Sequence, residues 1–437
     1  MGGSRYDREI AGLALPALGS LVADPLLSLV DTGFVARVGT EALAGLGVAA
    51  ALFAVAFFVF DFLEYGTTAL VAKAVGAGDL AAAGRSAVTA FLIAGGSGVV
   101  LTGVLLVAGA SLVGLLGGQG EVASAAITYV GIRALAAPAV LLVRAAHGAY
   151  RGYQDTRTPF VVTLGINAVN LVLDPILIFG LGWGVAGAAW ATVVAQYVGA
   201  AAFAVLLLRS RERFGLVGAS PVAGEVRFFL SVSRDLAIRV TAVMGAFTMA
   251  TAVAARISEV AVAAHQVLSQ VFLLTALTLD ALAIAAQALI GRMIGGGRRG
   301  EAVVVADRVL VLGLGFGMLT ALVLAALSPF IPAWFGSDPA VEEAISGSLW
   351  ILIVMQPLGA VVFAWDGVFI GVGDFRYLAL AMVGAAAAGA AFFLLVIPMG
   401  WGLPGVWWGV MVLLGVRALT LAWRRWAPGG PLHSVPG

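Results

Sequence analysis

The stretch Asn167-Ala-Val-Asn170-Leu-Val-Leu-Asp174-Pro175 places two amides, a carboxylate and a proline inside a run from Pro159 to Leu181 that is otherwise apolar. Spacings of three and four project Asn167, Asn170 and Asp174 from one side of a helix toward a common region. Pro175 has no N–H and clashes with the turn before it, so the carbonyl of Leu171 loses its helical partner and becomes a further acceptor. Asp31 is five residues before the outer end of its own apolar run, Asp174 seven before the end of its run, and Thr192 eight after the start of the next. At the helical rise all three lie ~8–12 Å below that end. Oxygen-bearing side chains gathered at one level can hold a small cation. Two close carboxylates in a low dielectric share a proton more readily than both stay ionised, and Na+ would need several oxygens from Asp31, Asn170, Asp174 and Thr192. The alternative is a polar cluster that only holds helices together.

These residues need elements to carry them, and the composition decides the kind. With 62% hydrophobic and 11% charged residues and a mean hydropathy of +1.07, the 437-residue chain reads as a polytopic membrane protein. Its apolar runs exceed the ~20 residues that span a bilayer, and membrane-barrel strands would show short alternating blocks instead. The expectation is an all-α protein of twelve transmembrane helices near 10–36, 43–73, 86–117, 122–149, 159–181, 184–208, 228–256, 260–291, 303–335, 340–370, 377–398 and 401–423. The first run is too long for a signal-peptide core and is expected to stay attached. With no cysteine, disulfides and thiolate metal sites are excluded, and only three histidines remain for a metal cluster. A net charge of +1 argues against nucleic acid as a partner. No cofactor is expected beyond a small cation, H+ or Na+, and the protein is expected to be a monomer in the lipid bilayer. Seventeen Lys and Arg fall in the tails and one set of connections, against Arg37 and Arg256 in the opposite set. That bias puts both termini on the cytoplasmic side of the inner membrane.

An internal repeat divides the chain. Slid against itself by 219 positions, TGFVARVGTEALAGLGVAAALF (32–53) meets TAVAARISEVAVAAHQVLSQVF (251–272). The same offset pairs Asp61 with Asp280, Pro138 with Pro357 and Asp155 with Asp374. One residue is then lost, so that Gly182-Trp183-Gly184 and Trp190 match Gly400-Trp401-Gly402 and Trp408 at 218. Two six-helix parallel repeats follow, with an amino-terminal lobe at 1–208, a cytoplasmic linker at 209–227, a carboxy-terminal lobe at 228–423 and a tail at 424–437. Polar residues present in both halves read as structural: Asp155 and Asp374 as turns or hinges, Arg37 and Arg256 as caps of last-turn carbonyls, and Asp61 and Asp280 as secondary polar sites. Asp31 and Asp174 face Ala250 and Phe392 and have no counterpart, which singles them out for chemistry. His147 falls opposite Asp366, either as a polar pair or as a structural histidine. Pro16, Pro25 and Pro175 are the positions where a helix would bend.

Several blocks resemble the multidrug and toxic compound extrusion (MATE) transporters, in particular their DinF-like branch: LVDTGFVARVG, YRGYQDTRTP, NAVNLVLDPILIFGLGWGVAGAAWATVVAQY, AAHQVLSQVFLL and LTLDALAIAAQALIG, in order along nearly the whole chain. The resemblance implies a V-shaped pair of lobes, a central cavity, and export of small organic, often cationic compounds driven by inward H+ or Na+. It places the family's first-lobe cation site on Asp31, Asn170, Asp174 and Thr192, and His147 where relatives often carry an amide. The alternative within the wider superfamily is a flippase of lipid-linked sugars or an exporter of anions, for which Arg133, Arg144 and Arg239 are the few cationic side chains in the spans. An enzyme is not expected, since no paired metal-ligand or nucleophile motif occurs. Reporter fusions in the hairpin at 180–184 should read as external, and fusions at either terminus or in 209–227 as cytoplasmic.

Overall fold

The computed structural model describes residues 3–335, 338–427 and 429–432. The helices of the first half are α1 (Gly3–Ala36), α2 (Thr40–Phe58), α3 (Phe62–Gly76), α4 (Leu80–Leu115), α5 (Gly120–Ala134), α6 (Ala137–Gly152), α7 (Arg157–Pro175) and α8 (Gly184–Arg209). Those of the second are α9 (Ala223–Ile257), α10 (Glu259–Gly295), α11 (Arg299–Leu327), α12 (Ile331–Phe335), α13 (Pro339–Val372), α14 (Phe375–Val396) and α15 (Gly402–Trp426). Among the described residues, eleven helical stretches are long and apolar enough to cross a membrane, α2 and α3 counting as one, and the pair α5–α6, bent by 55°, makes a twelfth. Every expected span is thus helical. The ninth is shorter than expected, because α11 stops at Leu327 and 331–335 is a separate short helix.

Glycines set the packing of both halves, at positions 219 apart. A Cβ on Gly98 of α4 would strike Pro138, and one on Gly317 of α11 would strike Pro357. Gly148 and Gly367 likewise sit against the backbone of Glu64 and Ala283, and Gly152 and Gly371 against Val71 and Ile290. Hydrocarbon supplies no hydrophobic drive between helices, so such close approach is what holds them.

The matched prolines nevertheless have different outcomes. Pro138 stands in the first turn of α6, after the bend, whereas Pro357 lies inside a continuous α13. At the bend the hydroxyl of Thr102 donates to the carbonyl of Ala134 (2.8 Å) and that of Tyr197 to the carbonyl of Leu135 (3.0 Å). Side-chain donors therefore replace the helical ones that a break removes. Ala321 and Gly415 stand at the matching places of the second half and have no hydroxyl to offer.

The chain forms two compact units: Leu15–Ser233, and the start up to Ala14 together with everything from Arg234 onward. These limits differ from the expected 1–208 and 228–423. In the second unit Ile10 and Leu13 enter the core of α10 and α11, Arg308 forks onto Asp7 (2.5 and 2.7 Å), and Arg292 reaches Glu9 at 3.0 Å. Its tail is also packed, with Leu432 in the same core and Arg425 on Asp307 at 2.8 Å. In the first unit the connection after α8 is docked: Phe214 stacks on Tyr153 at 4.3 Å, and Glu225 accepts from Ser86 and Thr89, both at 3.0 Å. The buried Phe214 anchors this connection to the first unit. Gly98→Ala should lower stability by ~1–3 kcal/mol, the range for overpacking a filled contact. Gly96→Ala, where nothing stands within 4 Å of the added carbon, should leave it unchanged, as read by thermal unfolding in detergent.

Candidate functional site

Inside the first unit lies a cavity of ≈ 290 Å³. Its wall takes Asp31 from α1, Asn167 and Asn170 from α7, and Thr192 from α8. The structure thus brings together four of the five residues that spacing and depth selected. Asp174 stands behind them, fully buried, with Oδ2 lacking a hydrogen-bond partner. Thr192 donates to the carbonyl of Ala188 (3.0 Å), which leaves its oxygen lone pairs available to the cavity.

Asn170, itself buried, stands between the two acids. With its nitrogen turned to Asp31 the amide donates to Oδ1 at 3.0 Å and Oδ2 at 3.2 Å. Turned the other way it donates to Oδ1 of Asp174 at 3.5 Å. In either orientation the amide oxygen faces the other acid, an arrangement that is satisfied when that acid carries a proton.

The backbone that presents Asp174 is interrupted at this point. Pro175 is the last residue of α7, and Ile176–Gly180 follows as a π-helical turn, closed by Leu181 N–H on the carbonyl of Ile176. A π turn accommodates one extra residue in a helix and recurs at functional sites. The register of the repeat drops from 219 to 218 between Asp155 and Asp174, ahead of the π turn. The hairpin beyond it keeps its geometry in both halves, with Gly182 and Gly184 at φ 70° and 54°, and Gly400 and Gly402 at 66° and 58°. Left-handed values of this kind favour glycine. Pro16 and Pro25 lie inside α1, which runs on through both.

Tyr129 and Arg133 of α5 and Gln196 of α8 also line the cavity, and the search for cation ligands did not select them. The signal was present as spacing: Gln196 follows Thr192 by four, and Arg133 follows Tyr129 by four.

The remaining polar residues divide as the repeat suggested, with corrections. Asp61 is ion-paired with Arg144, and Glu64 with Arg151. Asp280 takes part in the electrostatics of Arg417. Asp155 accepts from the N–H of Arg157 (3.0 Å) and Thr158 (2.9 Å) and so fixes the start of α7, while Asp374 binds Arg424 at 2.9 Å. His147 and Asp366, matched by the repeat, are engaged elsewhere. His147 lies 3.5 Å from the hydroxyl of Thr163 and edge-on to Phe203, whereas Asp366 accepts from Arg239 (2.8 Å) and Arg417. Self-matching reports equivalent places in two bundles, and equivalent places need not touch. Arg37 and Arg256 are exposed, and no side-chain hydrogen bond of either is found among the described residues, so the expected carbonyl caps are absent.

A family profile described as MatE matches residues 16–176 and 236–401. "Protein DETOXIFICATION 44, chloroplastic" of Arabidopsis thaliana is 34% identical over 98% of this chain and 84% of its own. "DNA damage-inducible protein F" of Escherichia coli K12 is 31% identical over 97% and 93%. "Probable multidrug resistance protein NorM" of Thermotoga maritima is 27% identical over 84% and 80%. Among solved structures, a crystal structure of MATE in the bent conformation superposes with a TM-score of 0.90 at 22% identity, over 97% of this chain and 96% of that one.

Asn170→Ala leaves both acids without their bridging amide. It should lower stability by ~1–3 kcal/mol, the penalty for unsatisfied buried polar groups, and by more than Asn167→Ala on the open wall, as measured by thermal unfolding of the purified protein.

Proposed function

The chain belongs to the MatE family of multidrug and toxic compound extrusion transporters, which are not enzymes, and from that premise we propose that it exports organic cations in exchange for protons taken up by the Asp31–Asp174 pair. The observation that carries the choice of ion is the position of Asn170. It separates the cavity from a fully buried Asp174, so a proton can pass to the second acid through hydrogen bonds where a cation with its ligand shell has no opening. A Na+ ion in the cavity would reach Asp31, Asn170 and Thr192 but not the carboxylate behind them.

Coupling follows from differential binding, since a ligand shifts a conformational equilibrium only by binding one state better. Protonating the pair removes the negative charge that holds a cationic substrate and relieves repulsion between α1, which carries Asp31, and α7, which carries Asp174. Pro25, six residues before Asp31 in α1, is the place where that helix yields. The flippase alternative loses support because Arg144 and Arg239 are engaged by Asp61 and Asp366 and Asp31 faces the chamber, with Asp174 behind it. A monomer in the inner membrane with cytoplasmic termini accords with the charge bias of the connections.

Proteoliposome efflux of a fluorescent organic cation, under separately imposed H+ and Na+ gradients, tests this. Efflux should follow the H+ gradient. Asp31→Asn and Asp174→Asn should each abolish gradient-driven efflux while substrate binding persists, because the amide keeps the shape of the protonated acid and does not titrate. Full efflux by both variants at normal expression would remove the pair from the mechanism, and efflux driven by Na+ alone would replace the ion.

A further inference from the structure

The chamber that holds the two acids also holds a fixed cation. Arg133 lines the same cavity as Asp31 and acts on it as a Coulombic partner. Its guanidinium carbon stands 5.5 Å from the ring centre of Phe53 and 5.7 Å from that of Phe57, two rings of α2 that stack on each other. Aromatic faces of this kind hold a guanidinium without neutralising it. One of its nitrogens, Nη1, is buried with no hydrogen-bond partner. The repeat puts Leu352 opposite Arg133 and Ser348 opposite Tyr129, so Arg133 is confined to the half that carries the unmatched acids.

Among the described residues lining the cavity, Asp31 and Arg133 are the charged ones. The helices packed against α5 are α2, α4 and α8, and their charged residues are Glu41 and Arg85, one position inside and five positions beyond the respective helix starts, and Arg209 at a helix end. What they and α1 present to the chamber is Asp31 with the uncharged Ser28, Thr32, Thr192 and Gln196. Two carboxylates and one guanidinium leave the fully ionised chamber with a single net negative charge.

We propose that Arg133 is the fixed counter-charge of the chamber, limiting its uptake to one unit of positive charge, so that one proton and one monovalent organic cation exclude each other there. This rests on the reading of Asp31 and Asp174 as the proton site. Without the guanidinium the ionised pair would carry two charges. It could then retain a proton and a monocation together, or accept a dication. Arg133 thereby sets both the stoichiometry of exchange and a preference for monocationic substrates. It is a specificity-determining residue that transfers no proton itself.

Ethidium and propidium, which share a ring system and carry one and two positive charges, are the probes. In weakly buffered detergent solution, about one pH unit or more below the midpoint of the pair's titration, where most sites carry the proton, an indicator dye should report about one proton released per ethidium bound to the unaltered protein; a release near two would overturn the proposal. Arg133→Gln should improve the affinity for propidium relative to ethidium at least tenfold, roughly the effect of one unit charge across a partly screened cavity, and should release less than one proton per ethidium. Arg133→Lys should keep the original ratio. An unchanged probe ratio and proton count in folded Arg133→Gln would sink the inference. Asp174→Asn separates the two failures. If it leaves proton release unchanged, the proton-site reading itself is wrong; if it abolishes release while Arg133→Gln changes nothing, only the role of Arg133 falls.

Discussion

A buried carboxylate in a membrane protein must find its donors within the protein, because hydrocarbon offers none. Asp174 has the amide of Asn170 on one oxygen and nothing on the other. One amide between two acids can donate to only one of them. In the function proposed above, a proton on the pair supplies the missing donor. Asp31 opens to the cavity, Asn170 reaches both acids, and Asp174 is fully buried behind it.

Polar satisfaction of the same kind explains where the two halves part company. Their close helix contacts repeat glycine for glycine, because backbone approach depends only on the absence of a Cβ. What breaks the symmetry is a handful of side chains that rescue backbone groups. Thr102 and Tyr197 accommodate the bend between α5 and α6, the elements from which Tyr129 and Arg133 reach the cavity and His147 contacts Thr163. In the second half the places of Leu46 and Ala50, which are His265 and Ser269 there, fill instead with a histidine packed on Trp407 and held near Thr251 at 3.2 Å. At matched positions one half lines a cavity and the other packs a histidine on a tryptophan.

Other charges within the helices are held in ion pairs. Asp61–Arg144, Glu64–Arg151 and Arg239–Asp366–Arg417 each lie within one unit. Breaking such a pair leaves an uncompensated charge, so its members are retained for the fold whether or not they serve transport. Arg133 differs because its nearest neighbours are aromatic faces and a cavity.

The sequence by itself determined the solvent, the helical class, the twofold repeat and the convergence of Asp31, Asn167, Asn170 and Thr192, because hydropathy, helical spacing and depth are one-dimensional quantities that survive folding unchanged. It also held the register loss between Asp155 and Asp174, whereas the π turn at Ile176–Gly180 is seen only in the structure. Tertiary structure alone decided that Asp174 lies behind Asn170, that His147 and Asp366 take other partners, that Ile10 and Leu13 pack with the second unit and that Arg133 shares a cavity with Asp31. Each of these depends on the rotation of one helix about its axis relative to its neighbours. Glycine contacts and satisfied carbonyls set that angle, and both are pairwise properties of residues far apart in the chain.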